Sequence, residues 1–386
     1  MDRNNKALRN VFISLIVFSL IFMSAPLAFA NNSEDALIQS IDNLFYERAE
    51  CTIGHNTNLS KFYVIDSKLL QFELNDRVQK FRALEKRWET KIVSMKSTPY
   101  IKNINISDNI ANVSVYEWTF FDWTWKGNTI TSGFGVNHDT TWSFKDGKWL
   151  LLKDSYDEGP LTGVISPDYE LSTESTSTKV VVEQSDINTA TSTVSYNRNA
   201  AASYADSYVN PSAHGGANYP DYYNSAYYKT QPNDCANFVS QSMHAGGAPY
   251  IGWRIHNSSS WWYDNNGTYP NQTNDDDWPL TWVHVDYQYP FMLNHFGKEI
   301  PISDVNAGGL LKGDIVYYDW DAQNGVNHVA VVAYTYIDYS SGTYAVLVDC
   351  HNHDYYHVRW DYAGSPEDPS TRTIYHPIHI YNQLSS

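Results

Sequence analysis

Three cysteines in 386 residues are too few for a disulfide framework, and an odd number leaves at least one thiol unpaired within the chain. Basic residues are scarce as well: 26 Lys and Arg stand against 43 Asp and Glu, a net charge of −17. Such a chain lacks the positive face that nucleic acid or an anionic lipid surface requires, so neither is expected as a partner. Long apolar runs are confined to one place, from Val11 to about Met23. Arg3, Lys6 and Arg9 precede that run and Ala28-Phe29-Ala30 follow it. A charged start, an apolar centre and a small-residue ending make a secretory signal peptide over 1–30, with cleavage expected after Ala30 and the protein expected to be secreted. The run is also near spanning length, so contact with a membrane is expected only through an uncleaved segment.

What remains is too long for one average core, which favours two units of ordinary size. From Ser33 onward, Leu37, Ile41, Leu44 and Phe45 have helical spacing, with Ser33 as N-cap. A second helix is expected over 72–89, its stripe formed by Leu74, Val78, Phe81, Leu84 and Trp88. Then Ile104, Ile106, Val113 and Val115 alternate as strands do, and Thr140 to Lys153 reads as a hairpin turning at Asp146-Gly147. This N-terminal α+β unit, 31–160, shows no paired acids, histidine cluster or metal spacing; His55 and His138 stand alone. Within 161–195 the chain fills with Ser, Thr and acids, as in Ser172 to Thr178, and reads as a linker. The second unit is 196–386, where Tyr and Trp crowd together, suiting either a core or a shallow surface for sugars and peptides.

The sharpest local pattern is Asn233-Asp234-Cys235-Ala236-Asn237-Phe238-Val239-Ser240-Gln241, running on to Gly246-Gly247. Asp234 is placed to cap a helix that the glycines stop, so Cys235 falls in its first turn. Backbone N–H groups and the helix dipole there favour a thiolate. Downstream, Gly313 to Tyr318 and Asn327 to Ala333 read as strands; His328 heads the second, with the small Ala330 on its face, leaving room for a helix to pack closely. A third strand, Tyr344 to Asp349, ends at Cys350-His351-Asn352-His353-Asp354, which places His351 one strand over from His328. A thiol at a helix start, an imidazole on a sheet and a polar orienter beside it form the layout of cysteine acyl transfer.

Tyr196-Asn197-Arg198, Tyr204-Ala205, Asp234 to Gln241, Gly246-Gly247, Gly313-Asp314 and His328-Val329 occur in the order seen in an amidase domain of exported bacterial proteins, which the region 196–380 resembles. That family is related to the NlpC/P60 and CHAP cell-wall hydrolases. The resemblance implies a papain-like fold with Cys235 as nucleophile, His328 as base and His351 as orienting residue. It also implies cell-wall peptide or peptidoglycan as substrate, with no cofactor. The segment 253–290 is long and rich in Trp, Asn and Asp, which leaves the cleft walls open. Over 33–157, two helices followed by a sheet and a closing hairpin resemble the cone-shaped NTF2-like fold. The overall expectation is α+β.

The backbone N–H of Cys235 is the natural first oxyanion donor. Gln231, Asn233 or a Tyr within 222–228 are the candidates for the second. His351, His353, Asp354, His357, His376 and His379 match no closed zinc spacing, so no metal is expected. Cys350, at a strand end and pointing away from His351, reads as a structural thiol. The rival to an enzyme is an inactive papain-like module that binds wall polymer through its aromatic surface.

Overall fold

The computed structural model describes residues 34–65, 67–170, 193–209, 223–228, 233–266, 276–320, 322, 325–363 and 373–385. The expected signal segment, Gln231 and 171–192 of the expected linker lie outside them. Helix and strand surround one large antiparallel sheet, an α+β architecture. Helix α1, 34–52, buries its predicted stripe, with Leu37, Ile41, Leu44 and Phe45 all sealed from solvent.

The second helical stretch starts earlier than the spacing predicts. Helix α2 (Lys68–Phe72), a π turn at Glu73–Arg77 and helix α3 (Val78–Arg87) follow one another without a break. Ser67 starts them by accepting the Leu70 N–H. The wide turn shifts the helix face. Phe81, Leu84 and Trp88 are buried as expected, but Leu74 is exposed, and Glu73 and Arg77 point inward in its place.

Those inward charges have partners. Arg48 donates to Glu117 Oε2 at 2.6 Å and to Asp154 Oδ2 at 3.3 Å, and Arg77 donates to Glu158 Oε1 at 2.7 Å. His138 lies between Asp154, 2.8 Å from Nδ1, and Glu117, 3.2 Å from Nε2. The expectation that 31–160 holds no grouped acids is therefore corrected. The acids come from the π turn (Glu73) and from Glu117, Asp154 and Glu158, around Arg48 of α1 and His138, a spacing that no local pattern marks.

The strands β1 (Ile92–Ser107), β2 (Ile110–Trp125), β3 (Asn128–Lys145) and β4 (Lys148–Ser155) form an antiparallel meander. Its last turn is the predicted one: Asp146 and Gly147 take φ of 51° and 76°, the pair of left-handed residues that a two-residue hairpin needs.

In the second half, β5 (Thr193–Ser195) leads into α4 (Arg198–Val209) and α5 (Cys235–Ala245). Helices α6 (Leu280–Val283) and α7 (Val285–His295), strand β6 (Gly297–Glu299) and the short α8 (Ile302–Asp304) follow. Then come β7 (Ile315–Asp319), β8 (His328–Asp338), β9 (Thr343–Cys350), β10 (Tyr355–Arg359), β11 (Ile374–Ile380) and β12 (Gln383–Ser385).

The two halves share the sheet. Its order is β1-β2-β3-β10-β9-β8-β7-β11-β6, with β4 on β3. Tyr355 and Tyr356 of β10 pair with Phe134 and Gly133 of β3. One face of β7 and β8 receives α4, α5 and α7. The other face joins the N-terminal half: Tyr318, Val332, Val348 and Tyr355 share a cluster with Phe81, Trp88, Phe121 and Phe134. Leu161 and Val164, inside the expected linker, are buried in the same cluster.

Candidate active site

Cys235 is the first residue of α5, and Gly247, with φ of 89°, closes the far end as the sequence predicts. Asp234 sits at the N-cap position, yet its side chain makes no capping bond. It turns instead to β9: His351 Nδ1 donates to Asp234 Oδ2 at 2.7 Å. The other carboxylate oxygen accepts from Asn237 Nδ2 at 2.9 Å, and the Asp234 N–H donates to Asn352 Oδ1 at 3.0 Å. His351 Nε2 meets the Tyr208 carbonyl at 2.7 Å, and its ring stacks on Phe238 with centroids 4.0 Å apart. Strand end, α4 and the start of α5 are thus tied through one imidazole.

Cys235 as a residue is only 6% exposed, packed among α5, β7 and β8. Burial pushes the thiol up to about 12, although the backbone N–H groups of Val329, Ala236 and Cys235 itself pull the other way. The expectation of a favoured thiolate is corrected on this point. A helix start stabilises an anion by roughly a kcal/mol, whereas removing the sulfur from water costs a charge more than that.

His328 lies on the opposite face of β8. The strand alternates, so Val329 and Val331 face α5, while Ala330 and Val332 belong to the cluster shared with the N-terminal half. His328 follows the second set: its ring stacks on Trp320, centroids 4.5 Å apart, and approaches Tyr318 at 5.7 Å. Burial, and then the neighbouring His353, hold it well below the usual histidine range, and its Nε2 has no hydrogen-bond partner among the described residues. The close approach of a helix over Ala330 therefore does not occur; α5 packs on the valine face. No hydrogen bond joins Cys235 to His328 or to His351 among the described residues.

Cys350 sits with His328 on the far face, fully buried, and points away from His351 as alternation predicts. Asn233 is exposed and accepts from Asn352 Nδ2 at 3.2 Å. The residues that sequence reasoning missed are Asp234 in its pairing role, Tyr208 and Asn352. Only Asp234 carried a signal, its place immediately before the cysteine. The aromatics behind α5 are mostly core: Trp261, Trp262 and Trp282 are fully buried. An open groove of about 390 Å³ between Arg87, Trp125 and Arg359 shares none of the residues around Cys235.

Residues 195–375 match the family described as "Putative amidase domain", a stretch that contains every residue of this site. The C-terminal half is accordingly amidase-like. Over 105 residues the chain is 28% identical to the uncharacterized protein YhbB of Bacillus subtilis (strain 168), covering 27% of this chain and 30% of that protein. No solved structure matches.

Proposed function

We propose that the C-terminal half hydrolyses amide bonds by acyl transfer to Cys235. The observation that carries this reading is a convergence at one helix start. Three backbone N–H groups favour a negative charge on the sulfur, and the Asp234–His351 pair stands on the same face of the sheet. Donors that stabilise a thiolate also suit the oxyanion of a tetrahedral intermediate.

In the structure both ring nitrogens of His351 face acceptors and therefore donate, Nδ1–H to Asp234 and Nε2–H to the Tyr208 carbonyl. In this reading the ring leaves that carbonyl, gives its Nε2 proton to solvent and, neutral with Nδ1–H held by Asp234, takes the thiol proton on Nε2. The sulfur then attacks the substrate carbonyl carbon. The amine departs with the proton that His351 carries, leaving a thioester. Water, losing a proton to the same nitrogen, attacks the thioester and releases the acid and the free thiol. The buried, protonated thiol is the resting state. A second reading keeps His328 as base and His351 as orienting residue. It is favoured by the unpartnered His328 Nε2 and by the Val329 N–H, one residue on, that faces the sulfur.

The substrate proposed is a peptide of the cell wall, supported by the family resemblance of 196–380, with secretion directed by 1–30. Purified muropeptides assayed with Cys235→Ala, His351→Ala and His328→Ala test the assignment. Cys235→Ala and His351→Ala should lose about 10³-fold in kcat/KM, and His328→Ala less than about tenfold. Reversed histidine effects would establish the second reading. Turnover that survives Cys235→Ala would refute both readings, whereas wall binding with no turnover by the wild-type chain would leave the wall-binding module.

A further inference from the structure

Outside that site, α4, β9 and β10 bring Asp206, Asp349 and His357 together, with one ligand atom from each lying within 4.8 Å of the others. His357 Nε2 is 2.7 Å from Asp206 Oδ1. The His357 backbone N–H donates to Asp349 Oδ1 at 2.7 Å. Asp349 is fully buried, and its second oxygen, Oδ2, has no hydrogen-bond donor among the described residues. That is an expensive state for an ionised carboxylate, whose desolvation is offset by a donor, a positive charge or a bound proton.

Neither acid has an ion-pair partner among the described residues apart from His357. Lys312 lies over the ring of Tyr334 at 4.1 Å. Tyr334 in turn approaches the His357 ring at 5.6 Å, and Tyr356 stacks on its other side at 3.9 Å, which fixes the imidazole plane. A bulge between Tyr355 and Val358, with His357 at a φ of 51°, aims the ring at α4.

We propose that Asp206, Asp349 and His357 bind a first-row divalent cation. One imidazole with two carboxylates is a donor set suited to Zn²⁺ or Mn²⁺, whereas Ca²⁺ prefers six or more oxygens. The Asp206 side chain is 38% exposed, which gives the ion an entry path and room for water ligands. Bound there, the cation clamps α4 to β9 and β10. Tyr208 and His351 lie two residues beyond Asp206 and Asp349, so the clamp borders the candidate active site without sharing a residue with it. The proposal stands independently of amide hydrolysis.

The test is metal analysis of the full chain after dialysis against Zn²⁺ or Mn²⁺ alone, followed by thermal denaturation. Wild type should retain about one equivalent of one of these ions and gain Tm with it, by linkage. Asp206→Asn and His357→Gln, both at partly exposed positions, should lose at least tenfold in affinity and the Tm gain, while folding normally in chelator. Asp349→Asn supplies a direct check: if the two acids merely share a proton, this variant is more stable than wild type in chelator, and wild type shows no gain with either ion. That outcome overturns the proposal, as does equal metal content in wild type and Asp206→Asn.

Discussion

Three thiols differ in what covers them, and this decides their order of reaction. Cys51 ends α1 partly exposed, Cys235 is nearly closed off, and Cys350 has no contact with solvent. Burial also pushes Cys350 well above the usual thiol range and Cys235 up to about 12. Iodoacetamide near neutral pH should therefore modify Cys51 first, Cys235 slowly and Cys350 last, as read by peptide mass mapping over time. Cys51→Ser should remove the fast phase. A fast phase that persists and maps to Cys235 would mean that the resting site is open. The helix start at Cys235 was legible because cap, apolar spacing and terminal glycines agree. Its burial was not, because the covering residues come from β7 and β8. Nor was the side chosen by His328: a strand reading His-Val-Ala-Val-Val-Ala is apolar on both faces, and alternation alone cannot say which face receives a helix.

The charged cluster beneath α1 and the π turn makes the meander sensitive to pH. For His138, burial alone lowers the pKa, but Asp154 and Glu117 outweigh it and raise the ring above its usual value. Its contribution to stability is therefore complete below the unfolded value of about 6.5 and is lost as pH rises through the higher folded value. Glu117 behaves oppositely. Burial raises it, Arg48 and His138 outweigh burial, and the carboxyl is held well below the usual range. Its contribution is present above the unfolded carboxylate value and is lost as pH falls. Urea denaturation across pH should show stability falling above about pH 6.5, and His138→Gln should flatten that limb while leaving the acid limb. A limb unchanged in His138→Gln would assign it to another group. Arg48→Met leaves Glu117 and Asp154 facing one another and should cost about 3–5 kcal/mol in the same assay. The helices and the hairpin of this half were readable from period and turn residues. The cluster was not, since its members look like surface residues until the π turn rotates Glu73 and Arg77 inward.

Joining β3 to β10 makes the two halves one sheet through a narrow seam. Phe134 and Gly133 pair with Tyr355 and Tyr356, and the seam is reinforced where the Gly135 N–H donates to the Asp354 carbonyl at 2.8 Å and the Tyr116 hydroxyl to Asp354 Oδ2 at 2.7 Å. Tyr116 lies flat over Gly135; a Cβ there would come within 1.9 Å of its hydroxyl oxygen, so glycine is required for closeness rather than for turning. Such a pairing, more than 200 residues apart in sequence, leaves no trace in local periodicity. Composition marks out the Ser- and Thr-rich stretch between the halves, but not that Trp88 and Phe134 on one side of it share a core with Tyr318 and Tyr355 on the other. Covalent continuity and structural independence are therefore separate questions. A protease site inserted between 171 and 192, once cut, should leave both pieces eluting together at the size of the intact chain, because the buried face of β8–β10 shares one cluster with Phe81, Trp88, Phe121 and Phe134 of the N-terminal half. Expressed alone, 193–386 should expose that face and the free edge of β10 and should aggregate. Gly135→Val in the cut protein should drive Tyr116 off the seam and release the pieces. A cut wild-type chain that separates into two folded, monomeric halves would show that the shared cluster contributes little, and the seam would then be a contact rather than part of the fold.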